Sequence, residues 1–318
     1  MVNCKLITRI IGFIFFSAWL ALPNLFGASY LSANERDSHH LVILGDPHIP
    51  GKYVAEKEKV ISTINSWDDA DMVVAVGDIC EDLGTREEYD AVRQFFARLN
   101  KPFYPVTGNH DYLYEDQRSF KGTRVKASSS INKEKLRRFK EIFSLPDLKY
   151  SKKVGPYLLI FLSVDDLRSN FLAEISEGTL DWLRSELARH KTDPTIIFFH
   201  APLQGTLLDY NANANRPNFV AQPEKKIRQL ILQNSQVFLW LSGHTHTPAT
   251  NESYASDINL YEKQVTNIHN CDMNRETIWT NSLYLFPNRV LVKTFDHKKG
   301  AWMNHLQRTL IPPSTKSP

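Results

Sequence analysis

The chain is poor in cysteine. It holds three in 318 residues, Cys4, Cys80 and Cys271, too few for a zinc ribbon or a disulfide-stapled scaffold. An excess of one charge is missing as well: 38 Lys and Arg face 35 Asp and Glu, for a formal net charge of +3. That balance gives no electrostatic ground for nucleic-acid or membrane-surface binding. No internal repeat, low-complexity linker or break in composition divides the body, so a single domain is the simpler reading. A body of this length can bury a sizeable core. No apolar run reaches the roughly 20 residues of a membrane span. The charge-free run at residues 10–22 (IIGFIFFSAWLAL) is thirteen residues long.

That run follows Lys5 and Arg9 and ends at Pro23, the form of a secretory signal peptide over residues 1–29. Small residues at Gly27, Ala28, Ser29, Ser32 and Ala33 place cleavage within 27–33. The expectation is an exported protein, periplasmic or secreted, with no stable membrane insertion once the signal is removed. An uncleaved N-terminal anchor is the alternative. Either leaves the body outside the cytoplasm, where a disulfide between Cys80 and Cys271 is open.

Short apolar runs recur along the body: 41–45 (LVILG), 72–76 (MVVAV), 157–163 (YLLIFLS), 195–199 (TIIFF), 237–241 (VFLWL) and a weaker one at 102–106. Each has strand length, and their continuous hydrophobicity predicts strands covered on both faces. Helices are predicted between them, near 55–67, 85–99, 132–143, 179–188 and 223–234. Thr85 and Glu88 have the spacing of a capping box, followed by the stripe Val92, Phe95, Phe96 and Leu99. Thr179 is expected to open the next helix, with Trp182, Leu183, Leu187 and Ala188 facing inward. Alternating strands and helices mean an α/β fold. Two closing strands at 283–286 and 290–295 form a hairpin around Pro287. Residues 311–318 are expected to be a disordered tail.

The chemistry sits behind the strands. The runs are followed by Asp46-Pro47-His48, by Gly77-Asp78, by Gly108-Asn109-His110-Asp111, by His200 and by Gly243-His244-Thr245-His246. Strand carboxyl ends share one edge of an open α/β sheet, so five such clusters can converge there. Asp46/His48 and His244/His246 are i, i+2 pairs, which an extended backbone points to one side. Imidazole and carboxylate without thiolate suit zinc, iron or manganese. The number of donors exceeds what one ion needs and fits two ions sharing a carboxylate. A lone Asp-x-His is common by chance; five clusters in order behind strands are not. His39, His40, His190, His269, His297 and His305 lack such neighbours and read as ordinary.

This series, spread over residues 41–248, resembles the calcineurin-like metallophosphoesterase family. The resemblance implies a single four-layer α/β/β/α sandwich over residues 38–310, with a two-metal centre (Mn, Fe or Zn) at its edge. Asp46, His48, Asp78 and His246 would hold one ion and Asp78, Asn109, His200 and His244 the other. His110, if protonated, would serve the leaving oxygen, and Asp111 would orient it. In the related purple acid phosphatases a Tyr stands three positions after the bridging Asp; here that position is Glu81. The likeness therefore turns toward bacterial cyclic-nucleotide and glycerophosphodiester phosphodiesterases. Residues 111–130 and 203–222, with Tyr112, Tyr114, Arg118, Lys121, Arg124, Lys126, Tyr210 and Arg216, are long enough to wall a pocket. The expectation is hydrolysis of small phosphoester substrates, phosphodiester or nucleotide, by metal-activated hydroxide. A broad phosphomonoesterase and a non-catalytic metal-stabilised binding protein are the alternatives. No nucleic-acid partner is expected.

Overall fold

A computed structural model describes residues 38–314; the expected signal segment and residues 315–318 lie outside them. The first sheet takes β1 (His39–Leu44), β2 (Ala70–Val76) and β3 (Phe103–Val106). The second takes β4 (Lys149–Val154), β5 (Tyr157–Leu162), β6 (Thr195–Phe198), β7 (Val237–Ser242), β8 (Leu260–Tyr261) and β9 (Val265–His269). The chain then returns to the first sheet with β10 (Trp279–Phe286), β11 (Arg289–Asp296), β12 (Ala301–Trp302) and β13 (Arg308–Leu310). Strand order is β12-β11-β10-β1-β2-β3, with β13 also on β11, and β4-β5-β6-β7-β9-β8. The sequence-predicted strands β1–β2–β3 and β5–β6–β7 run parallel within their sheets.

Three apolar cores make the layers. Leu41, Ile43 and Val74 of the first sheet pack on Leu159, Phe161, Phe198 and Leu239 of the second. The first sheet's outer face, with Val42, Leu44, Val73 and Ala75, is covered by α1 (Val54–Asn65) and α2 (Arg86–Phe96). The second sheet's outer face, with Leu158, Ile160 and Trp240, is covered by α4 (Glu177–Arg189) and α5 (Glu224–Gln233). Helix α3 (Ser129–Ile142) puts Leu136 into one outer core and Phe139 into the other. The chain is thus an α/β/β/α sandwich in which both sheets are buried on two faces, which is why their central strands read as unbroken apolar runs.

Several local expectations change. Thr85 does cap α2, accepting from Glu88 N–H at 3.2 Å, but the Glu88 carboxylate accepts from Leu83 and Gly84 N–H instead of returning to Thr85. Helix α4 starts before Thr179: Ser176 is its N-cap, and the Thr179 hydroxyl donates to Asp165 at 2.6 Å. Ala188 is exposed, and Glu186 takes the inward place, held by Ser151. Strand β4 (KYSKKV) was hidden by its lysines, a usual trait of an edge strand. Strand β9 (VTNIH) was hidden by polar residues that are buried and hydrogen-bonded. Cys80 and Cys271 are both buried and unpaired. Beyond β13, Ile311 to Ser314 carry no regular structure.

Two histidines read as ordinary are structural. Burial pushes His269 down to about 3 and His297 down to about 4, so both stay neutral in the fold. The unfolded chain takes up their protons once pH drops below about 6.5, so their contribution is fully present above that pH and is lost as pH falls. Unfolding free energy is therefore expected to fall by about 1.4 kcal/mol per pH unit for each group below pH 6.5. Denaturant titrations at pH 7.5 and pH 5 check this. His297→Gln should reduce the pH slope by one proton, and an unchanged slope would exclude its role.

Candidate metal centre

The polar clusters follow strands of both sheets: Asp46/His48, Asp78 and Asn109/His110 behind β1, β2 and β3, and His200 and His244/His246 behind β6 and β7. A single sheet edge was expected; the structure instead divides the clusters three and two between facing sheets. Hydrogen bonds across the gap fix their approach. His200 Nδ1 donates to Val76 O at 2.9 Å, and His244 N–H donates to both Asp46 oxygens at 2.9 Å.

Ligand atoms of Asp46, His48, Asp78 and His246 lie within 4.8 Å of one another, as do those of Asp78, His200 and His244. Asp78 belongs to both groups. Within the first, His48 Nε2 is 3.2 Å from His246 Nε2, which is 3.6 Å from Asp46 Oδ1. Within the second, His200 Nε2 is 3.3 Å from Asp78 Oδ2 and 3.2 Å from Asn109 Oδ1. Tyr114 OH accepts from Asn109 Nδ2 at 3.3 Å, which turns the amide oxygen inward.

The backbone here is not the extended one that the i, i+2 spacing suggested. Asp46, His48, Asp78, His244 and His246 all have φ between 39° and 65°. A non-glycine residue in this left-handed region costs about 1–2 kcal/mol, and such residues gather at functional sites. Each pair converges because its turn folds back. Two glycines permit the approach: a Cβ on Gly243 would lie 2.1 Å from Asp46 Oδ2, and one on Gly108 would lie 2.2 Å from Asp78 Oδ1.

Three rings are oriented by main-chain carbonyls: His48 Nδ1 by Glu81 O (3.1 Å), His200 Nδ1 by Val76 O (2.9 Å) and His244 Nε2 by Asn218 O (2.8 Å). Such outer bonds set the tautomer and leave the other nitrogen's lone pair for a cation. The electrostatics agree. Asp46 and Asp78 are 0% and 1% exposed, and no Lys or Arg pairs with either among the described residues. Burial alone would lower His200 and His246, but Asp78 beside one and Asp46 beside the other lift both to about 9. Burial holds His48 and His110 down at about 4 and His244 at about 3. Two shielded carboxylates that pull the neighbouring imidazoles toward their charged form mark a place for positive charge, and the N/O donor set suits a binuclear divalent centre.

Asp111 does not orient His110. Its Oδ2 accepts from Gly108 N–H at 2.7 Å and its Oδ1 from Cys80 N–H at 2.8 Å, so the carboxylate ties the β2 loop to the β3 loop. The His110 ring is held by Asp82 O at 2.7 Å through Nδ1, and its Nε2 lies 3.8 Å from Asp78. Glu81 Oε2 accepts from Gly51 N–H at 3.1 Å. Cys80 packs under the loop with the helices of the first sheet.

Asp272 was not foreseen. Its carboxylate lies 3.8 Å from His246 Nδ1, Arg275 pairs with it, and Arg275 also donates to His246 O at 2.9 Å. It follows β9, too polar to be read as a strand, so no sequence signal marked it. Above the ligands lies a cavity of about 300 Å³. Its walls are Tyr114 and Arg124 on one side and Tyr210, Asn211, Asn213 and Phe219 on the other, from the two long loops.

The chain belongs to the calcineurin-like phosphoesterase family, whose model matches residues 39–248. It is 24% identical over 181 residues to a probable glycerophosphodiester phosphodiesterase of Arcobacter nitrofigilis, covering 57% of this chain and 58% of that protein. It is 26% identical over 179 residues to a 3′,5′-cyclic-nucleotide phosphodiesterase of Nostoc sp., covering 55% and 56%. The aligned region thus spans just over half the length of these curated relatives. A dimetal phosphatase from Danio rerio shares the fold, with a TM-score of 0.58, 14% identity and coverage of 86% of this chain and 99% of that one.

Gly243→Ala is expected to push Asp46 out of place and to remove at least half of the metal bound by protein purified with manganese. Elemental analysis beside far-ultraviolet circular dichroism checks it. Full metal content in a folded variant would contradict the packing argument.

Proposed function

We propose that the chain is an exported two-metal phosphoesterase acting on small phosphodiester or nucleotide substrates, through one catalytic domain over residues 38–310. The observation that carries this reading is the sharing of Asp78 by two ligand groups at the floor of a cavity of about 300 Å³. That volume admits substituents on two ester oxygens. Both curated relatives are named as phosphodiesterases, which supports diesters over monoesters.

Asp46, His48, Asp78 and His246 would hold one cation, and Asp78, Asn109, His200 and His244 the second. A bound pair supplies Lewis-acid polarisation of phosphoryl oxygens and activation of water. The protein does the rest. His110 has Nδ1–H anchored on Asp82 O and burial keeps the ring neutral, so Nε2 is the atom that would take up a proton from water and pass it to the departing oxygen. Asp111 acts as a positioning residue, holding the loops that carry Asp78 and His110 at a fixed separation. The uncharged wall residues Tyr210, Asn211, Asn213 and Phe219 bind and orient the ester substituents.

A substrate panel tests the reading: aryl mono- and diesters, cyclic nucleotides and glycerophosphodiesters, with manganese, iron or zinc added. Diesters are expected to be hydrolysed faster than monoesters, with His110→Ala lowering kcat about 10²-fold. No hydrolysis of any ester by metal-loaded protein would refute it. Chelation should abolish activity, and added metal should restore it.

Export by a signal peptide is part of the proposal, supported by the composition of residues 1–29. N-terminal sequencing of chain recovered from the culture medium or periplasm should start between residues 27 and 34. Recovery of full-length chain only from the membrane fraction would favour the uncleaved anchor.

A further inference from the structure

Residues around Tyr114 and Lys126 form a two-stranded arm beside the cavity, held by Glu115 N–H to Val125 O, Ser119 N–H to Thr123 O and Ala127 N–H to Leu113 O, each 2.9 Å. Two arginines of the arm meet one carboxylate, Asp82. Arg118 is fully engaged: Nε and Nη2 donate to Asp82 at 3.0 and 2.6 Å, and Nη1 donates to Gly122 O at 2.7 Å. Arg124 is not. Only its Nε is used, at 2.7 Å from Asp82 Oδ1, and its two terminal nitrogens take no protein acceptor among the described residues. Its guanidinium lies 5.6 Å from the centre of the Tyr114 ring, and both line the cavity.

One carboxylate set against two guanidinium groups leaves a net positive charge on this wall. Of the two acids of the arm, Asp116 is engaged by Lys135 at 2.7 Å and Glu115 is not among the residues that line the cavity. The second loop that lines the cavity brings Tyr210, Asn211 and Asn213 to it and no charged side chain. A guanidinium anchored through Nε, with its other edge open, is the geometry that accepts two oxygens of one phosphate. Its place is set by the same residue that sets the proposed proton donor: Asp82 O holds His110 Nδ1 and the Asp82 carboxylate holds Arg124. An anion on Arg124 therefore lies on the leaving-group side of the reacting phosphorus.

We propose that Arg124 forms a subsite for a second phosphoryl group, so that preferred substrates carry an anionic phosphate beyond the one that reacts. The inference rests on the phosphoesterase reading of the metal centre. The substrate class is a diphosphate diester: water adds to the reacting phosphorus, the P–O–P bridge breaks, and the second phosphate leaves from Arg124 as a phosphate monoester that keeps the bridging oxygen. A simple diester, with one phosphorus, would leave the Arg124 fork unsatisfied.

The test compares manganese-loaded wild type, Arg124→Gln and Arg124→Lys on diadenosine diphosphate and on a dinucleoside monophosphate. Arg124→Gln is expected to lower kcat/KM for the diphosphate about 30-fold, mainly through KM, while the monophosphate changes less than about threefold. Arg124→Lys, which keeps the charge and loses the fork, should recover only part of the loss. Calorimetry gives a readout without turnover: methylenebisphosphonate binding should weaken about 30-fold in Arg124→Gln, and methylphosphonate binding should barely change. An equal fall on both substrates, or no fall on either, overturns the subsite. A wild type that cleaves only the monophosphate overturns the subsite and leaves the phosphoesterase reading standing. One that cleaves neither overturns the subsite, and overturns the phosphoesterase reading as well when no ester of the substrate panel is hydrolysed.

Discussion

Two buried carboxylates set the terms for everything around them. Asp46 and Asp78 are shut off from water, and removing an ion from water costs several kcal/mol that partners must offset. The nearest partners are main-chain N–H groups and imidazoles: His244 N–H on Asp46, His110 N–H on Asp78, and the rings of His200 and His246. Such a set tolerates two negative charges only with positive charge between them. The same demand explains the backbone. Five left-handed residues and two close glycine approaches cost stability locally, and they persist because the rigid sheets beneath over-determine them.

The position of the centre follows from the layers. Where the apolar filling between the sheets ends, the strands that leave each sheet expose polar residues to the same gap, and bonds such as His200 Nδ1–H to Val76 O (2.9 Å) and Met273 N–H to Asp46 O (3.1 Å) close it. Buried Lys57 supports the β1 loop from outside, donating to His48 O at 2.6 Å and Pro50 O at 3.1 Å. The floor is therefore rigid and built from strand ends. The walls come from two long loops, which can differ without moving a ligand.

The fold was legible wherever burial was two-sided, because β1, β2, β5, β6 and β7 carry unbroken apolar runs. It was illegible at the edges. Lysines on β4 keep that edge from pairing further, and the polar residues of β9 bond distant partners such as Thr206 O and Ser242 Oγ. The candidate ligands could be picked out by residue type and by their place behind strands. Their division between two sheets, their left-handed backbone and the part of Asp272 could not, since each depends on contacts remote in sequence. The expected Asp111–His110 pairing shows the limit of adjacency: neighbouring residues point apart, and the His110 ring finds its partner 28 positions away.

That partner belongs to the segment that joins floor to walls. Over residues 78–84 the loop behind β2 supplies Asp78 to both ligand groups, Cys80 N–H to Asp111, Glu81 O to His48, and Asp82 to His110, Arg118 and Arg124. Its far end is fixed by Glu88, whose carboxylate accepts from Leu83 and Gly84 N–H. One short loop thus couples metal ligation, the reacting wall and the arm. Glu81, at the place where purple acid phosphatases have a tyrosine, has its carboxylate on Gly51 N–H and its carbonyl on His48. The carbonyl that orients His48 belongs to the main chain, so the chain's departure from that subgroup changes only the side-chain bond to the β1 loop and leaves the two ligand groups complete.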